Sequence, residues 1–85
     1  MLFSRIAAKQ ICELATSKGF VVWRYEGGIF REDGKFQARL DAIWDRHYLH
    51  EGPELLEEGN LRAANAIDGE AEDYNAFVIT AEPLK

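Results

Sequence analysis

The chain has 85 residues, of which 47% are hydrophobic, 29% are charged and ten are aromatic. This composition excludes an intrinsically disordered chain and the length excludes a multidomain protein, so residues 1–85 are expected to form one domain. The single Cys12 excludes an internal disulfide, and the N-terminus lacks a signal-peptide pattern. The sequence therefore predicts a cytoplasmic protein with no membrane association.

The formal net charge of −5 is distributed unevenly along the chain. Residues 1–40 contain seven Lys or Arg and four acidic residues, whereas residues 41–85 contain three basic and eleven acidic residues. Such an asymmetry bears on binding partners rather than on fold. The sequence therefore offers a basic and an acidic candidate surface.

Residues 2–18 have the periodicity of an amphipathic helix, with Ser4 as an alternative N-cap and Gly19 as a stop. The side facing the core is predicted to consist of apolar residues at three- and four-residue spacing: Phe3, Ile6, Ala7, Ile11 and Leu14. The charged residues fall on the opposite side: Arg5, Lys9 and Glu13. Cys12 is expected at the edge of that polar side, as a small, semi-buried residue without a group that would activate its thiol.

Two stretches rich in aromatic and apolar residues predict strands. The first runs from Phe20 to Glu26, and the second begins at Lys35 and alternates apolar and polar residues as far as Leu40. Gly27-Gly28 permits either a bulge or a tight turn, and the sequence leaves both open.

The fold-back between these strands is better specified. A three-residue loop at Glu32-Asp33-Gly34, with Gly34 left-handed, sets Phe30 opposite Phe36 and Arg31 opposite Lys35. A two-residue loop at Asp33-Gly34 would set Arg31 against Phe36 instead. We prefer the first register because it keeps the apolar side chains together.

The segment after Leu40 fits two structures. Its apolar residues would continue the strand alternation, but they fit a helical stripe equally well. We favour a helix over residues 42–50, capped by Asp41, because a strand would turn Ile43 and Leu49 outward.

The remaining chain reads as helix, loop and strand. Residues 53–67 are predicted to be helical in part, and Gly59-Asn60 could split them into two helices. The acidic stretch 68–73 is predicted to be a loop and residues 74–82 a closing strand. The sum is an α+β fold, an antiparallel sheet of about three strands with helices packed on one face.

Neither a metal site nor a catalytic centre is predicted. His47 and His50, with Asp45 and Glu51 nearby, could share one face of a helix, but no second pair of ligands exists elsewhere in the chain. No motif pairs a nucleophile with a base, or a glycine-rich loop with a phosphate-binding lysine. The sequence therefore predicts a protein that is not an enzyme, without cofactor or metal.

The basic, aromatic hairpin is one candidate surface. Its aromatic residues could stack on bases while its cations neutralise phosphates, which makes these residues an alternative nucleic-acid face: Arg24, Arg31, Lys35 and Arg39. However, a domain of this size needs the same aromatics for its core, and the net negative charge repels a polyanion. The hairpin is therefore interpreted mainly as scaffold.

The acidic half is the favoured partner-binding surface. Carboxylates can occupy phosphate positions in an Arg- or Lys-rich groove, so the expected partner is a protein with a basic surface. Trp44 and Tyr48 are candidate interface anchors beside the acidic residues, which are Glu51, Glu54, Glu57, Glu58, Asp68, Glu70, Glu72 and Asp73. The alternative, a surface that serves only solubility, stays open.

In size, acidity and compact α+β layout the chain resembles small phage-encoded inhibitor proteins, anti-CRISPR proteins among them. The resemblance implies a non-enzymatic inhibitor that covers a nucleic-acid-binding or catalytic surface of a protein in the host cytoplasm. Those inhibitors share no motif, so the resemblance assigns no functional residues.

Overall fold

Two helices and four strands make up the described part of the chain. A computed structural model describes residues 2–46 and 53–83, with side chains from residue 56 onward in the second range. The elements are β1 (Leu2–Phe3), α1 (Arg5–Leu14), β2 (Phe20–Phe30), β3 (Phe36–Asp45), α2 (Pro53–Asp68) and β4 (Ala76–Pro83). The strands form one antiparallel sheet in the order β1-β4-β2-β3.

Both helices cover the same face of this sheet, and the core lies between them and the central strands β2 and β4. Val22 and Tyr25 of β2 and Phe77 of β4 are fully buried beneath the helices. The predicted α+β class, with helices on one face, is confirmed. The additional strand, β1, pairs with β4. Leu2 lies opposite Val78 and Phe3 lies opposite Phe77.

Helix α1 begins after Ser4 rather than at Leu2. The Ser4 hydroxyl accepts a hydrogen bond from the Ala7 N–H at 3.2 Å, which confirms the alternative N-cap. Because Leu2 and Phe3 are extended and paired with β4, the helical periodicity that included them was wrong at its first turn.

The buried side of α1 also differs from the predicted stripe. Ala8 and Cys12 are fully buried, whereas Ile6 is 72% and Leu14 53% exposed. α1 packs against α2, whose facing residues include Ala63 and Ala64, and small side chains on both helices allow a close approach. Cys12 therefore lies in the core, and the prediction that placed it at the edge of the polar side was wrong.

The hairpin between β2 and β3 has the predicted register. Phe30 lies opposite Phe36, and the Arg31 N–H donates to the Lys35 carbonyl at 2.8 Å. Gly34 has a φ of 85°, a left-handed conformation that residues other than glycine rarely adopt. The three-residue loop is confirmed.

Strand β3 contains a large bulge, which we call the Leu40 bulge. Glu26 pairs with Ile43 and Gly28 with Ala38, so the four residues 39–42 of β3 lie opposite the single Gly27 of β2. The open choice at Gly27-Gly28 is thereby resolved in favour of a bulge over a turn: β2 continues through both glycines, and the extra residues of the bulge lie in β3.

The predicted helix over residues 42–50 is wrong for its first part, because β3 continues to Asp45. The Leu40 bulge interrupts the two-residue alternation of apolar side chains, which is why this segment fitted a helical stripe as well. Residues 47–50 lie outside the described residues.

Neighbouring elements approach β2 so closely at Gly27 and Gly28 that neither position has room for a side chain. A Cβ at Gly27 would come within 2.7 Å of the Phe77 ring, and one at Gly28 would overlap the Gln37 carbonyl oxygen. Side chains at these two positions would therefore push β3 or Phe77 away from β2.

Helix α2 runs unbroken through Gly59-Asn60, where a split was considered. Both residues are buried, and a Cβ at Gly59 would overlap the guanidinium of Arg46. Arg46 in turn donates to the Val22 carbonyl at 2.8 Å and to the Asn60 side-chain oxygen at 2.7 Å. The glycine is thus a packing requirement within the helix rather than a break.

Replacing Gly59 with alanine is expected to destabilise the protein by about 1–3 kcal/mol, although the same change in an exposed helix interior stabilises by about 1 kcal/mol. The reason is that the new methyl group would displace Arg46 from its two acceptors. Urea unfolding of Gly59→Ala measures the effect. Gly69→Ala is the matched control, because its Cβ would meet nothing closer than 3.7 Å; a stabilised Gly59→Ala protein would contradict the argument.

Candidate protein-binding site

Arg5 fixes the acidic loop that follows α2. Its guanidinium donates to four main-chain carbonyls, those of Ile67, Glu70, Ala71 and Tyr74, at 2.5–3.1 Å. The carbonyls at the C-terminal end of a helix lack helical partners and carry partial negative charge, and α2 has no basic residue in its last turn. Arg5 supplies that positive charge from α1 and holds residues 69–75, here called the acidic loop, in one conformation.

Among the carboxylates predicted to bind a partner, Glu70 is used inside the molecule and Asp68 makes an ion pair at the surface. Glu70 accepts a short hydrogen bond from the buried Tyr25 hydroxyl. Burial is the main cause of the raised pKa of Tyr25, and this hydrogen bond raises it further. Asp68, the last residue of α2, lies 3.3 Å from the Lys9 ammonium of α1. Glu70 and Asp68 therefore attach the acidic loop to the sheet and to α1.

The acidic loop is also attached to the Leu40 bulge. The Tyr74 hydroxyl donates to both carboxylate oxygens of Asp41, at 2.8 and 3.0 Å. This hydrogen bond raises the pKa of Tyr74. The contact joins Asp41 of the bulge to Tyr74 of the loop, and both Asp41 and Asp73 act on the Tyr74 hydroxyl. Glu72 and Asp73 are exposed there.

The other described acids of the predicted partner-binding set lie toward the opposite end of α2. Glu57 and Glu58 are exposed, and Glu58 is 3.2 Å from Arg62 one turn further along the helix. Ten helical residues, or about 15 Å, separate Glu58 from Asp68. The acidic residues thus form two groups, one on α2 and one on the acidic loop. Glu51 and Tyr48 lie outside the described residues, as does the side chain of Glu54.

Trp44 faces the core side of the sheet. It pairs with Tyr25 across β2 and β3, and their rings stack with centroids 6.1 Å apart. The Arg46 guanidinium lies 6.0 Å from the Trp44 ring. Trp44 is half-buried by these contacts, and its role as an interface anchor stays a prediction.

The four cations of the alternative nucleic-acid face do not form one cluster. Arg24 contacts Asp45 at 2.8 Å, which raises its pKa, and Glu26 at 3.8 Å. Arg31 donates to the Gln37 side chain near the hairpin loop, where Lys35 is exposed. Seven residues of β2, or roughly 23 Å, separate Arg24 from Arg31.

Arg39, the fourth cation, is half-buried in the Leu40 bulge. The structure therefore spreads these cations along the hairpin and places carboxylates beside Arg24. This arrangement differs from the continuous basic strip that a nucleic-acid backbone follows.

An apolar groove of about 410 Å³ lies between α1 and β4. It is lined by residues that the helical stripe assigned to the core, among them Phe3, Ile11 and Leu14, together with Phe20. Lys18 is its one charged lining residue. Apolar side chains of α1 and β4 are thus open to solvent along this groove.

The described residues offer no metal centre. Among the side chains of residues 2–46 and 56–83, no group of three or more His, Cys, Asp or Glu is arranged to hold a metal ion. His47 and His50 lie outside this part of the chain. Burial raises the pKa of the Cys12 thiol to about 11, which leaves it a poor nucleophile at neutral pH. Neither helix in the described ranges is long and apolar enough to cross a bilayer.

The sequence analysis did not identify two residues whose side chains hold these elements in place, Arg5 and Asn60. Arg5 was assigned to a solvated helix face, and Asn60 to a possible helix break. An asparagine in the middle of a helical segment and an arginine in a first helical turn both run against local preference, and this conflict was the signal available in the sequence.

The comparisons with known proteins agree with a small binding protein. No family model matches the chain. The chain is 42% identical over 84 residues to the immunity protein CdiI of Burkholderia pseudomallei, an alignment that covers 99% of this chain and 76% of that relative. The class is therefore that of immunity proteins.

The chain belongs to the CdiI immunity protein family. The resemblance to phage-encoded inhibitors is thus confirmed for the general class, a small inhibitory protein. The relative is an immunity protein and not an anti-CRISPR protein.

Proposed function

We propose that this protein neutralises a protein toxin by binding it, without catalysing a reaction, and that the acidic loop together with the exposed acids of α2 faces the toxin. The observation that carries the proposal is the 42% identity to an immunity protein over nearly the whole chain. The net charge of −5 and the concentration of acids after residue 40 support a basic toxin surface, such as a groove that binds nucleic acid.

The fixed position of the acidic loop supports this surface further. Arg5, Tyr25 and Lys9 each hold one part of the loop or of the α2 terminus, while Glu72 and Asp73 stay exposed. A loop that is already ordered loses little conformational entropy when it binds, so its charges contribute to affinity at small cost. Glu72, Asp73 and the exposed Asp68, rather than the half-buried Glu70, are therefore the carboxylates available to a partner at this end of α2.

The first test is protection. The toxin candidate is the protein encoded by the gene next to that of this chain, purified separately and also expressed from an inducible promoter in a bacterial test strain. We expect expression of this chain to restore growth and the two purified proteins to form a complex. Growth arrest that persists, with no complex at micromolar concentrations, would refute the proposal for this pair.

The second test assigns the surface. Reversal of Glu72 and Asp73 to lysine is expected to slow association with the toxin about 10- to 100-fold at low salt and to flatten its salt dependence. Surface plasmon resonance between 50 and 500 mM NaCl measures both. The matched control reverses Glu13 and Glu32, two exposed acids on α1 and the hairpin, with the same change in net charge. Equal slowing by both pairs would show a net-charge effect and exclude this surface.

A further inference from the structure

Leu40 is the most exposed large apolar side chain among the described residues, at 91%. It lies within the Leu40 bulge on β3, an edge strand of the sheet. Single exposed leucines are common on protein surfaces, so exposure alone assigns no role. The way the backbone presents this side chain is the informative feature.

The Leu40 bulge is held at the two residues that follow Leu40. Ala42 is fully buried, and its Cβ is close to Gly27 of β2. Asp41 accepts the hydrogen bond of the Tyr74 hydroxyl with both oxygens. A regular β3 would need one residue opposite Gly27, and the bulge has four. Bulges of this kind redirect side chains and often occur at functional sites.

The charges around Leu40 are those of the proposed toxin surface. Asp41 is its neighbour in the bulge and is joined to the acidic loop by the Tyr74 hydroxyl, and Asp73 precedes Tyr74 in that loop. Arg39 also lies near Tyr74 and is half-buried. An exposed apolar side chain with a charged rim is the usual composition of an interface centre, where a few anchors supply most of the affinity.

We infer that Leu40 is an apolar anchor of the toxin interface and inserts into an apolar pocket that is bordered by lysine or arginine on the toxin. The inference rests on the proposed function and specifies its surface. The apolar groove between α1 and β4 is the competing site. It has no acidic residue in its lining, and its one charged residue is Lys18, so it does not match a basic partner.

The test compares three single variants in binding to the toxin encoded beside this gene. Leu40→Ser is expected to raise the dissociation rate 10- to 100-fold and to leave the association rate within threefold, because no charge changes. Leu40→Met keeps an apolar side chain and is expected to stay within threefold in both rates. Leu14→Ser, at a residue of the groove that is 53% exposed, is the matched control and is expected to stay within threefold.

The outcomes separate the inference from the proposed function. Unchanged dissociation of Leu40→Ser, while the wild-type protein binds and protects, overturns the inference alone. Faster dissociation of Leu14→Ser with an unaffected Leu40→Ser assigns the groove as the interface and also overturns it. A wild-type protein that neither binds the toxin nor protects against it refutes the proposed function, and the inference fails with it. Thermal unfolding of Leu40→Ser within 2 °C of wild type, roughly 0.5 kcal/mol for a domain of this size, confirms that the variant is folded.

Discussion

Replacement of Asn60 with leucine is expected to reduce the free energy of unfolding by about 3–5 kcal/mol. The Asn60 amide oxygen accepts from the Val22 N–H at 2.9 Å and from Arg46 at 2.7 Å. Its amide nitrogen donates to the Thr16 hydroxyl at 2.9 Å and to the Phe20 carbonyl at 3.0 Å. All four hydrogen bonds of the amide are made in a site with no exposure to solvent.

These bonds replace a missing strand. β3 ends at Asp45, opposite Arg24, so Phe20 and Val22 extend beyond it and have polar main-chain groups on that edge of β2. Asn60 and Arg46 satisfy those groups with side chains. A leucine of similar volume would leave the Val22 N–H and the Phe20 carbonyl without partners, each at a cost of about 1–3 kcal/mol.

Urea unfolding followed by circular dichroism measures this loss. Asn65→Leu is the matched control, since Asn65 is exposed on the same helix; it is expected to change stability by about 0.5 kcal/mol or less. A loss below 1 kcal/mol in Asn60→Leu would show that water replaces the amide, and would contradict the role given to Asn60.

Replacement of Arg5 with alanine is expected to cost about 3 kcal/mol and to weaken toxin binding by loosening the acidic loop. The four carbonyls that Arg5 contacts would lose their donor, and its contact with the Phe77 ring, 5.5 Å from the guanidinium carbon, would also be lost. Because the loop would have to become ordered on binding, affinity is expected to fall even though Arg5 itself does not face the partner.

Hydrogen exchange of the amides in residues 69–75, together with urea unfolding, measures this effect. Arg5→Lys is expected to fall between wild type and alanine, since an ammonium cannot contact four carbonyls in the planar geometry of a guanidinium. Arg62→Ala removes an arginine that makes one exposed contact and is expected to be close to neutral. An Arg5→Lys protein equal to wild type would show that charge alone is sufficient at this helix end.

Local patterns predicted the hairpin and the fold class, because both depend on neighbours in sequence. Phe30 and Phe36 are six residues apart, and their pairing follows from one turn and one apolar match. The Leu40 bulge could not be predicted in this way. It changes the period of the strand, and the reason for it lies in β2, where Gly27 has room for no side chain.

The contacts between the helices are a second feature that the sequence pattern did not predict. Periodicity placed Ile6 and Leu14 inward because they are the larger apolar residues, but two helices that approach closely require small ones, Ala8 and Cys12. The different roles of the carboxylates in the candidate site are a third feature that the sequence did not predict. The sequence makes all carboxylates equivalent, whereas the fold uses Glu70 as an internal attachment to Tyr25 and leaves Glu72 and Asp73 exposed.

The strand order β1-β4-β2-β3 also determines when the protein becomes able to act. β4, which ends at Pro83, joins β1 to the hairpin, and every acceptor of Arg5 lies within residues 67–74. During synthesis the N-terminal strand and helix therefore have no docking partner in the sheet until β4 has left the ribosome. A ribosome that stalls before β4 would release a chain in which β1 and α1 lack their partner strand, so the proposed binding surface forms only after β4 has been synthesised.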